Sequence, residues 1–531
     1  MTKEKEAWGS RVGLILAMAG NAVGLGNFLR FPAQAVQNGG GAFMIPYLIC
    51  FLLMGIPLLF VEWSSGRFGG KFGHHSTPFI LDAMDKRKFW KYIGVFGIFT
   101  NVAVASYYCY LESWTLSWVW HSIAGSFSGK TQLEVAEFFG NYVGLSSIEP
   151  IIFWIICLVL NTWILSKGLS GGVEKAAKIG MPLLLIFGAF LAFKAITLKE
   201  GVHGAINPGT LGLNFLWTPQ FESIWSIKVW LAAAGQVFFT LSLGMGSIQC
   251  YASYIKKKDD IALNAMSAGW MNGFVEIVLG SAILIPIAIG YLGIDQVVEM
   301  TKSGGLGLGF KTLPYLFEQW GGLLAIAAGV AWFGLLFFAG VTSSLAMGTP
   351  VMGFLQDEFG WKRGNSALAF GVIVFLLGLP TVVFFKYGVF DEYDYWAGTV
   401  SLVVFALFEI ILFGWVFGMD KGWKEITSGA DIKVPNIFKF IIKFVTPLLL
   451  GFVFIMSLPE IWDKITNKAL YETLAKTTDL TEIANLETTI LFVNISRAGL
   501  LLLWLSIAYL VYYAYKKRIK EGRITSWTQA H

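Results

Sequence analysis

The sequence predicts an all-α polytopic membrane protein of twelve transmembrane helices, and three observations carry that reading. Hydrophobic residues make up 56% of the 531 and charged residues only 14%, with a mean hydropathy of +0.64, whereas soluble domains carry roughly 25% charge. The apolar residues also gather into stretches of about 20 or more, the length at which a helix crosses a bilayer. Finally, two glycine-centred interruptions, Asn21-Ala22-Val23-Gly24-Leu25-Gly26-Asn27 and Thr240-Leu241-Ser242-Leu243-Gly244-Met245-Gly246, cut otherwise apolar segments at matching places in the two halves of the chain.

Taken in order, the spans fall near residues 11–37, 42–66, 89–123, 150–166, 178–198, 226–254, 262–292, 323–355, 364–385, 395–418, 435–459 and 488–515. The first eleven residues are polar and the following stretch lacks a small-residue cleavage site, so the first span is read as its own insertion signal. Spans one to five (about 11–198) and six to ten (about 226–418) form a candidate repeat within a single transmembrane domain over 1–531; spans eleven and twelve (about 435–515) follow a polar connector from Asp420 to Pro435. Five is an odd number, so the second repeat inserts upside down relative to the first. The longest connectors, about 125–149, 199–225, 293–322 and 460–487, are rich in Gly, Ser, Thr and acidic residues; the third, with Gly304-Gly305 and Pro314, reads equally as a lid or as plain connector.

An even number of spans puts both termini on one side, and 27 of the 39 Lys and Arg residues fall on that side. By the positive-inside rule this side is cytoplasmic, so the net charge of +5 is a topology signal and gives no indication of nucleic acid. Cys50, Cys109, Cys157 and Cys250 sit in apolar spans without metal or redox spacing and read as reduced packing residues. Asn494-Ile495-Ser496 matches a glycosylation sequon but lies inside the last span.

Glycine costs about 1 kcal/mol in a helix interior, and a broken membrane helix leaves backbone groups unpaired where water cannot reach them. Something polar must therefore bind at the breaks. Interrupted helices in corresponding positions of two repeats mark the substrate and ion site of a secondary transporter.

The stretch from Trp8 to Gly70, including Asn21 to Pro32 and Asn38-Gly39-Gly40-Gly41-Ala42-Phe43, resembles the neurotransmitter:sodium symporter family, and most closely its bacterial leucine-transporting branch. Tyr107-Tyr108, Gln236 to Gly246, Tyr251 to Tyr254, Asn272 to Glu276, Phe337 to Ser344 and Asp391 to Thr399 extend the resemblance over all ten repeat spans. It implies a five-plus-five inverted repeat with discontinuous helices 1 and 6, and a multi-pass protein of the bacterial inner membrane.

Sodium is a hard cation that takes oxygen ligands. Ala339, Thr342 and Ser343 stand at i, i+3 and i+4 and share one helix face; the resemblance implies that this face makes one sodium site with the carbonyls of Gly20 and Val23. It implies a second site from the Ala22 carbonyl, Asn27, Thr240, Asn272 and the substrate carboxylate, so that ion and substrate raise each other's affinity. For an amino acid substrate, the amides of Leu25 and Gly26 open a helix whose positive dipole end favours a carboxylate. The resemblance adds the Tyr108 hydroxyl as donor, and Asn21, Ala22, Phe239, Thr240 and Ser242 around the ammonium.

A side-chain subsite of Val104, Tyr108, Phe239, Met245, Ser343 and Met347 holds no acid or base. Met245 and Met347 replace the aromatic and β-branched residues of the leucine-transporting branch and are more adaptable. The expected substrate is a neutral hydrophobic or aromatic amino acid, including ones larger than leucine. Glu276 follows Asn272 by one turn where chloride-dependent relatives hold chloride, so no chloride requirement is expected. Glu62, Glu112 and Glu409 are intramembrane carboxylates assigned to structural hydrogen bonding.

Two gates are implied. Arg30 with Asp394, and Tyr108 stacked over Phe239, would close the outer side; Lys5 with Asp357, supported by Trp8, Ser253 and Tyr254, would close the inner one. Lys5 offers a point charge where the family has an Arg fork. The alternative is a transporter of the same fold driven by protons, with Glu276 as carrier, or by exchange. An enzyme is disfavoured because the sequence offers no His cluster, paired carboxylates or nucleophile with a base, His74 and His75 included. A channel is disfavoured because no ring of like charges lines a pore.

Overall fold

A computed structural model describes residues 6–302 and 304–523, and every regular element among them is helical. Among the described residues ten helices are long and apolar enough to cross a membrane: Gly41–Gly70, Trp90–Ile123, Glu149–Ser166, Leu169–Ile196, Ile261–Leu292, Gly322–Phe359, Arg363–Val383, Val389–Val416, Ile437–Ile465 and Leu480–Lys520. An eleventh span is the bent pair Arg11–Ala22 and Leu25–Gln37, whose arms meet at 60°. The remaining one is the apolar helix Ile227–Thr240, which stops and resumes as Ser247–Ala252. These are the twelve predicted spans, and each set of five opens on an interrupted helix.

Local chemistry sets the ends. Ser10 starts the first helix by accepting the Gly13 amide at 3.0 Å. Asp479 does the same for the last, accepting from Thr481 and Glu482, so that helix runs from 480 to 520 and not from 488 to 515. Its first eight residues alternate apolar side chains (Leu480, Ile483, Leu486) with polar and acidic ones, and a hydropathy criterion does not register them. The connectors also hold more structure than their composition suggested. Gln132–Val143 is capped by the reciprocal Thr131–Glu134 pair, and Gly209–Trp217, Ile294–Thr301 and the run 305–318 are helical.

The chain gathers into two compact units. One comprises Met1–Ile56, Tyr108–Ser242 and Asn264–Ala346. Its interior is aromatic: Trp118 meets Tyr142, Phe139 and Phe310 edge-on and donates its indole N–H to the Phe310 carbonyl. Within it the third long connector packs on the second arm of the first span, since a Cβ at Gly305 would lie 1.9 Å from the Leu29 carbonyl oxygen.

The other unit comprises Pro57–Tyr107, Leu243–Leu263 and Met347–His531. Here buried ion pairs tie helix ends together. Arg67 and Lys71 hold Glu425, Arg497 holds Glu392 in a two-pronged contact, and Arg518 holds Glu358. Buried charges persist only with such partners. All four cysteines are unpaired and buried, as the sequence indicated. Asn494 of the sequon lies within the last helix and accepts from Asn467 at 3.1 Å.

Candidate functional site

The first span breaks at Val23-Gly24, and the break is stitched by side chains of its own unit. The Gly24 amide donates to Asn27 Oδ1 at 2.8 Å and the Leu25 amide to the Tyr108 hydroxyl at 3.1 Å. Gly24 is required by space: a Cβ there would sit 2.7 Å from the Tyr108 oxygen and 3.1 Å from Ser343 Oγ. A Cβ on Gly20 would likewise lie 2.8 Å from the Thr342 Cβ. The face carrying Ala339, Thr342 and Ser343 therefore does lie against Gly20, and the Ser343 hydroxyl donates to the Gly20 carbonyl at 3.3 Å. Thr342 donates back to Phe338 and Ala339 of its own helix, which leaves the lone pairs of its oxygen available to a cation.

Asn27, Thr240 and Asn272 form one buried cluster. Asn27 Nδ2 donates to Thr240 Oγ1 at 3.1 Å and to Asn272 Oδ1 at 2.8 Å, while Asn272 Nδ2 donates to Thr240 Oγ1 at 3.0 Å. Next to it, Glu276 takes hydrogen bonds from Tyr47, Gln236 and Thr240. Glu276 occupies a π-helical turn, Phe274–Gly280, a local widening that recurs at functional sites. The side-chain oxygens of Asn27, Thr240 and Asn272 are uncharged, which fits an alkali cation, and among the described residues no three His, Cys, Asp or Glu side chains gather as for a transition metal.

Other predicted residues fall as follows. Asn21 and Ala22 are buried, and the Asn21 carbonyl accepts the Ser242 hydroxyl at 2.9 Å. A Cβ on Gly26 would lie 2.5 Å from the Phe239 ring. The Arg30 guanidinium lies 4.3 Å over that same ring. Val104, Met245 and Met347 are buried in the other unit, where the Met245 carbonyl accepts from Asn101 at 2.6 Å and from Thr100 at 3.3 Å. Asp394 takes the Tyr107 hydroxyl at 2.6 Å. Trp8 is half-buried, and Lys5 lies outside the described residues. Asp357 accepts the His75 amide, and Ser253 and Tyr254 both meet the His75 ring.

The break in the sixth span is longer, with positive φ at Ser242, Gly244 and Gly246. Glu62, fully buried, accepts the Gly244 amide at 2.7 Å, and Gln249 donates to the equally buried Glu409. Glu112 accepts from Asn161 and Ser344. The structural role assigned to these three carboxylates matches their contacts. Two contributors went unread. Glu174 pins the start of the first span through the Gly9 amide and the Ser10 hydroxyl, both at 2.7 Å. His74, in the connector after the second helix, accepts from Arg518 at 3.1 Å; burial, then the charges of Arg518 and His75, hold its pKa well below the usual histidine range. No spacing in the sequence links either residue to its partners, which lie 165 and 444 positions away in the chain.

A twelve-span helical protein whose first and sixth spans are broken at buried polar clusters is a secondary transporter of the inverted-repeat class. The chain belongs to the sodium:neurotransmitter symporter family, whose model matches residues 5–137 and 141–498. It is 32% identical over 464 residues to an uncharacterised sodium-dependent transporter of Methanocaldococcus jannaschii, covering 84% of this chain and 89% of that one. It is 26% identical to the sodium-dependent nutrient amino acid transporter 1 of Drosophila willistoni, covering 86% and 78%. Among solved structures, MhsT in complex with L-phenylalanine matches with a TM-score of 0.74 and 29% identity, over 85% of this chain and 99% of that one. The protein is a sodium-dependent transporter, not an enzyme, and its fold is the five-plus-five inverted repeat.

Proposed function

We propose that the protein imports a neutral hydrophobic or aromatic amino acid by alternating access, coupled to sodium at two sites and without need of chloride. The observation that carries this reading is the Asn27–Thr240–Asn272 cluster beside the first break, joined through Thr240 to Glu276. One ion is assigned to Gly20, Val23, Ala339, Thr342 and Ser343, the other to Ala22, Asn27, Thr240 and Asn272, with the substrate carboxylate completing its shell. Each ligand then strengthens the other. The carboxylate is assigned to the Leu25 and Gly26 amides and to the proton of Tyr108, and the ammonium to Asn21, Ala22, Phe239, Thr240 and Ser242.

The substrate class follows from residue type. Val104, Tyr108, Phe239, Met245, Ser343 and Met347 bring no charge to meet a charged side chain, and MhsT, with its bound L-phenylalanine, supports an apolar preference. Glu276 supplies the fixed negative charge for which chloride would otherwise be recruited. Both termini are assigned to the cytoplasm of a bacterial inner membrane by the distribution of Lys and Arg, with Arg30 and Asp394 at the outer gate and Lys5, Trp8, Ser253, Tyr254 and Asp357 at the inner one.

Binding of each of the twenty amino acids to purified protein, with sodium or with potassium, tests the proposal. Apolar amino acids should bind in sodium only; binding that persists in potassium supports the proton-driven alternative. Asn272→Ala and Thr342→Ala should each raise the sodium concentration for half-maximal binding about tenfold, the equivalent of ~1.4 kcal/mol; unaltered sodium dependence in both refutes the ligand assignment. Uptake into proteoliposomes should be equal in chloride and gluconate, and stimulation by chloride overturns the role given to Glu276.

A further inference from the structure

Two connectors of the second unit meet, one between the sixth and seventh spans and one between the tenth and eleventh. Arg67 staples them together: its Nη1 donates to the Asp259 carbonyl at 2.7 Å and to the Ser428 carbonyl at 3.0 Å. The Asp431 amide donates to Asp260 Oδ2 at 2.7 Å, and a Cβ on Gly429 would lie 2.4 Å from the Lys258 carbonyl oxygen. The second connector carries the short helix Met419–Thr427, which buries Met419, Gly422 and Ile426 and turns Lys424 outward. Trp415 joins its two ends by donating its indole N–H to the Lys443 carbonyl at 2.7 Å.

The surface assembled this way carries an excess of positive charge. In the same unit Arg67, Lys71, Lys91 and Arg518 each hold a carboxylate. By contrast Lys256, Lys257, Lys258, Lys424, Lys433 and Lys443 are exposed, and none of the six forms an ion pair. Lys439 meets Asp420 at 2.6 Å. That bond, then the charges of Lys439, Lys443 and Lys424, hold the Asp420 pKa below the usual carboxylate range, which places these lysines around one spot. Asp259, Asp420 and Asp431 are outnumbered here. Trp415, Ile437, Phe440 and Phe444 are exposed beside the lysines, at the facing ends of the tenth and eleventh spans. Aromatic residues at the end of a span mark the level where acyl chains give way to headgroups, so the lysines just beyond them stand at the level of the lipid phosphates.

We propose that the two stapled connectors form a binding surface for the headgroup of an anionic phospholipid, with the exposed aromatic residues against its acyl chains. Its leaflet, the cytoplasmic one, rests on the orientation given under Proposed function; the binding itself needs neither sodium nor substrate. An ammonium and a phosphate make a charge-assisted hydrogen bond, and each lysine held near the membrane surface strengthens the attraction about fivefold. A diffuse pull between a basic face and an anionic membrane would draw on every exposed cation of that side alike. A surface built from these two connectors draws on theirs.

Full-length protein stripped of lipid in a neutral detergent tests this, with dioleoylphosphatidylglycerol and dioleoylphosphatidylcholine as probes and native mass spectrometry at low ionic strength as the readout. The parent should retain phosphatidylglycerol about tenfold more strongly than phosphatidylcholine. That preference should vanish when Lys256→Gln, Lys257→Gln and Lys258→Gln are combined on one connector, and when Lys424→Gln and Lys433→Gln are combined on the other. Lys86→Gln, Arg87→Gln and Lys88→Gln remove as much charge from the exposed connector after the second span, and together should leave the preference intact. No preference in the parent, its survival in either lysine variant, or an equal loss in the 86–88 variant overturns the proposal. Inorganic phosphate at millimolar concentration should not displace the lipid; displacement would reveal a free-phosphate site and overturn it too. Sodium-dependent binding of L-phenylalanine should persist in all three variants. Its absence from the parent protein would refute the substrate reading while leaving the lipid result to decide this one.

Discussion

The two helix breaks meet the same physical demand in different ways. In the first span the interruption is confined to Val23-Gly24, and its amides are taken up by Asn27 three residues on and by Tyr108. In the sixth span the helix is lost from 241 to 246, three residues adopt positive φ, and the freed groups are held by flanking helices: Ser242 on Asn21, Asn101 and Thr100 on the Met245 carbonyl, and Glu62 on the Gly244 amide. A short break can be capped locally. A long one exposes more backbone than its own turn can satisfy, and polar side chains must be imported into the apolar interior.

The largest test of that contrast is Glu62→Leu. It leaves the Gly244 amide buried and unpaired at a cost of about 1–3 kcal/mol, and sodium-driven uptake should fall below roughly a tenth, whereas Glu62→Gln keeps an acceptor and most of the activity. Equal uptake by Glu62→Leu and the parent would show that the sixth break does not depend on that carboxylate. Next comes Gly24→Ala, which drives a methyl to within 2.7 Å of the Tyr108 oxygen. Overpacking of this kind costs about 1–3 kcal/mol; the melting temperature should drop, and Tyr108→Phe, which deletes the clashing oxygen, should recover part of the loss in the double variant.

Asn101→Ala probes the long break more gently, because Thr100 remains on the Met245 carbonyl; a loss of about 1 kcal/mol and a few-fold slower turnover are expected. The smallest effect at neutral pH belongs to His74→Gln. His74 opens the connector whose Thr77 packs on Gly246, 2.4 Å from where a Cβ would lie. Because folding lowers the His74 pKa, below about pH 6.5 the unfolded chain binds a proton that the folded one refuses, and stability falls with pH by up to ~1.4 kcal/mol per unit. His74→Gln should flatten that acid slope in thermal melts and change nothing near pH 8.

Much of this was legible before any coordinates. The spans, the two breaks, the Ala339–Thr342–Ser343 face and the burial of Glu62, Glu112, Glu276 and Glu409 follow from hydropathy, glycine placement and helical periodicity, which are local properties. The Asn27–Thr240–Asn272 cluster was reached through resemblance, since its members stand far apart in the chain. Helical connectors such as 132–143 and the mixed polar and apolar start of the last helix escaped because capping and amphipathic packing decide them, and hydropathy registers neither. The seat of the Arg30 guanidinium over the Phe239 ring is a contact between distant residues that composition does not encode.

By itself, then, the sequence determined that the chain is a twelve-span membrane protein with two interrupted helices, because apolar length and misplaced glycines have only one stable outcome in a bilayer. Tertiary structure alone decided which side chain satisfies which orphaned amide: Glu62 for Gly244, Tyr108 for Leu25, Glu174 for Gly9, Asp357 for His75. The physical reason is that these bonds join residues tens to hundreds of positions apart, and a polar side chain's partner is set by which helices pack together.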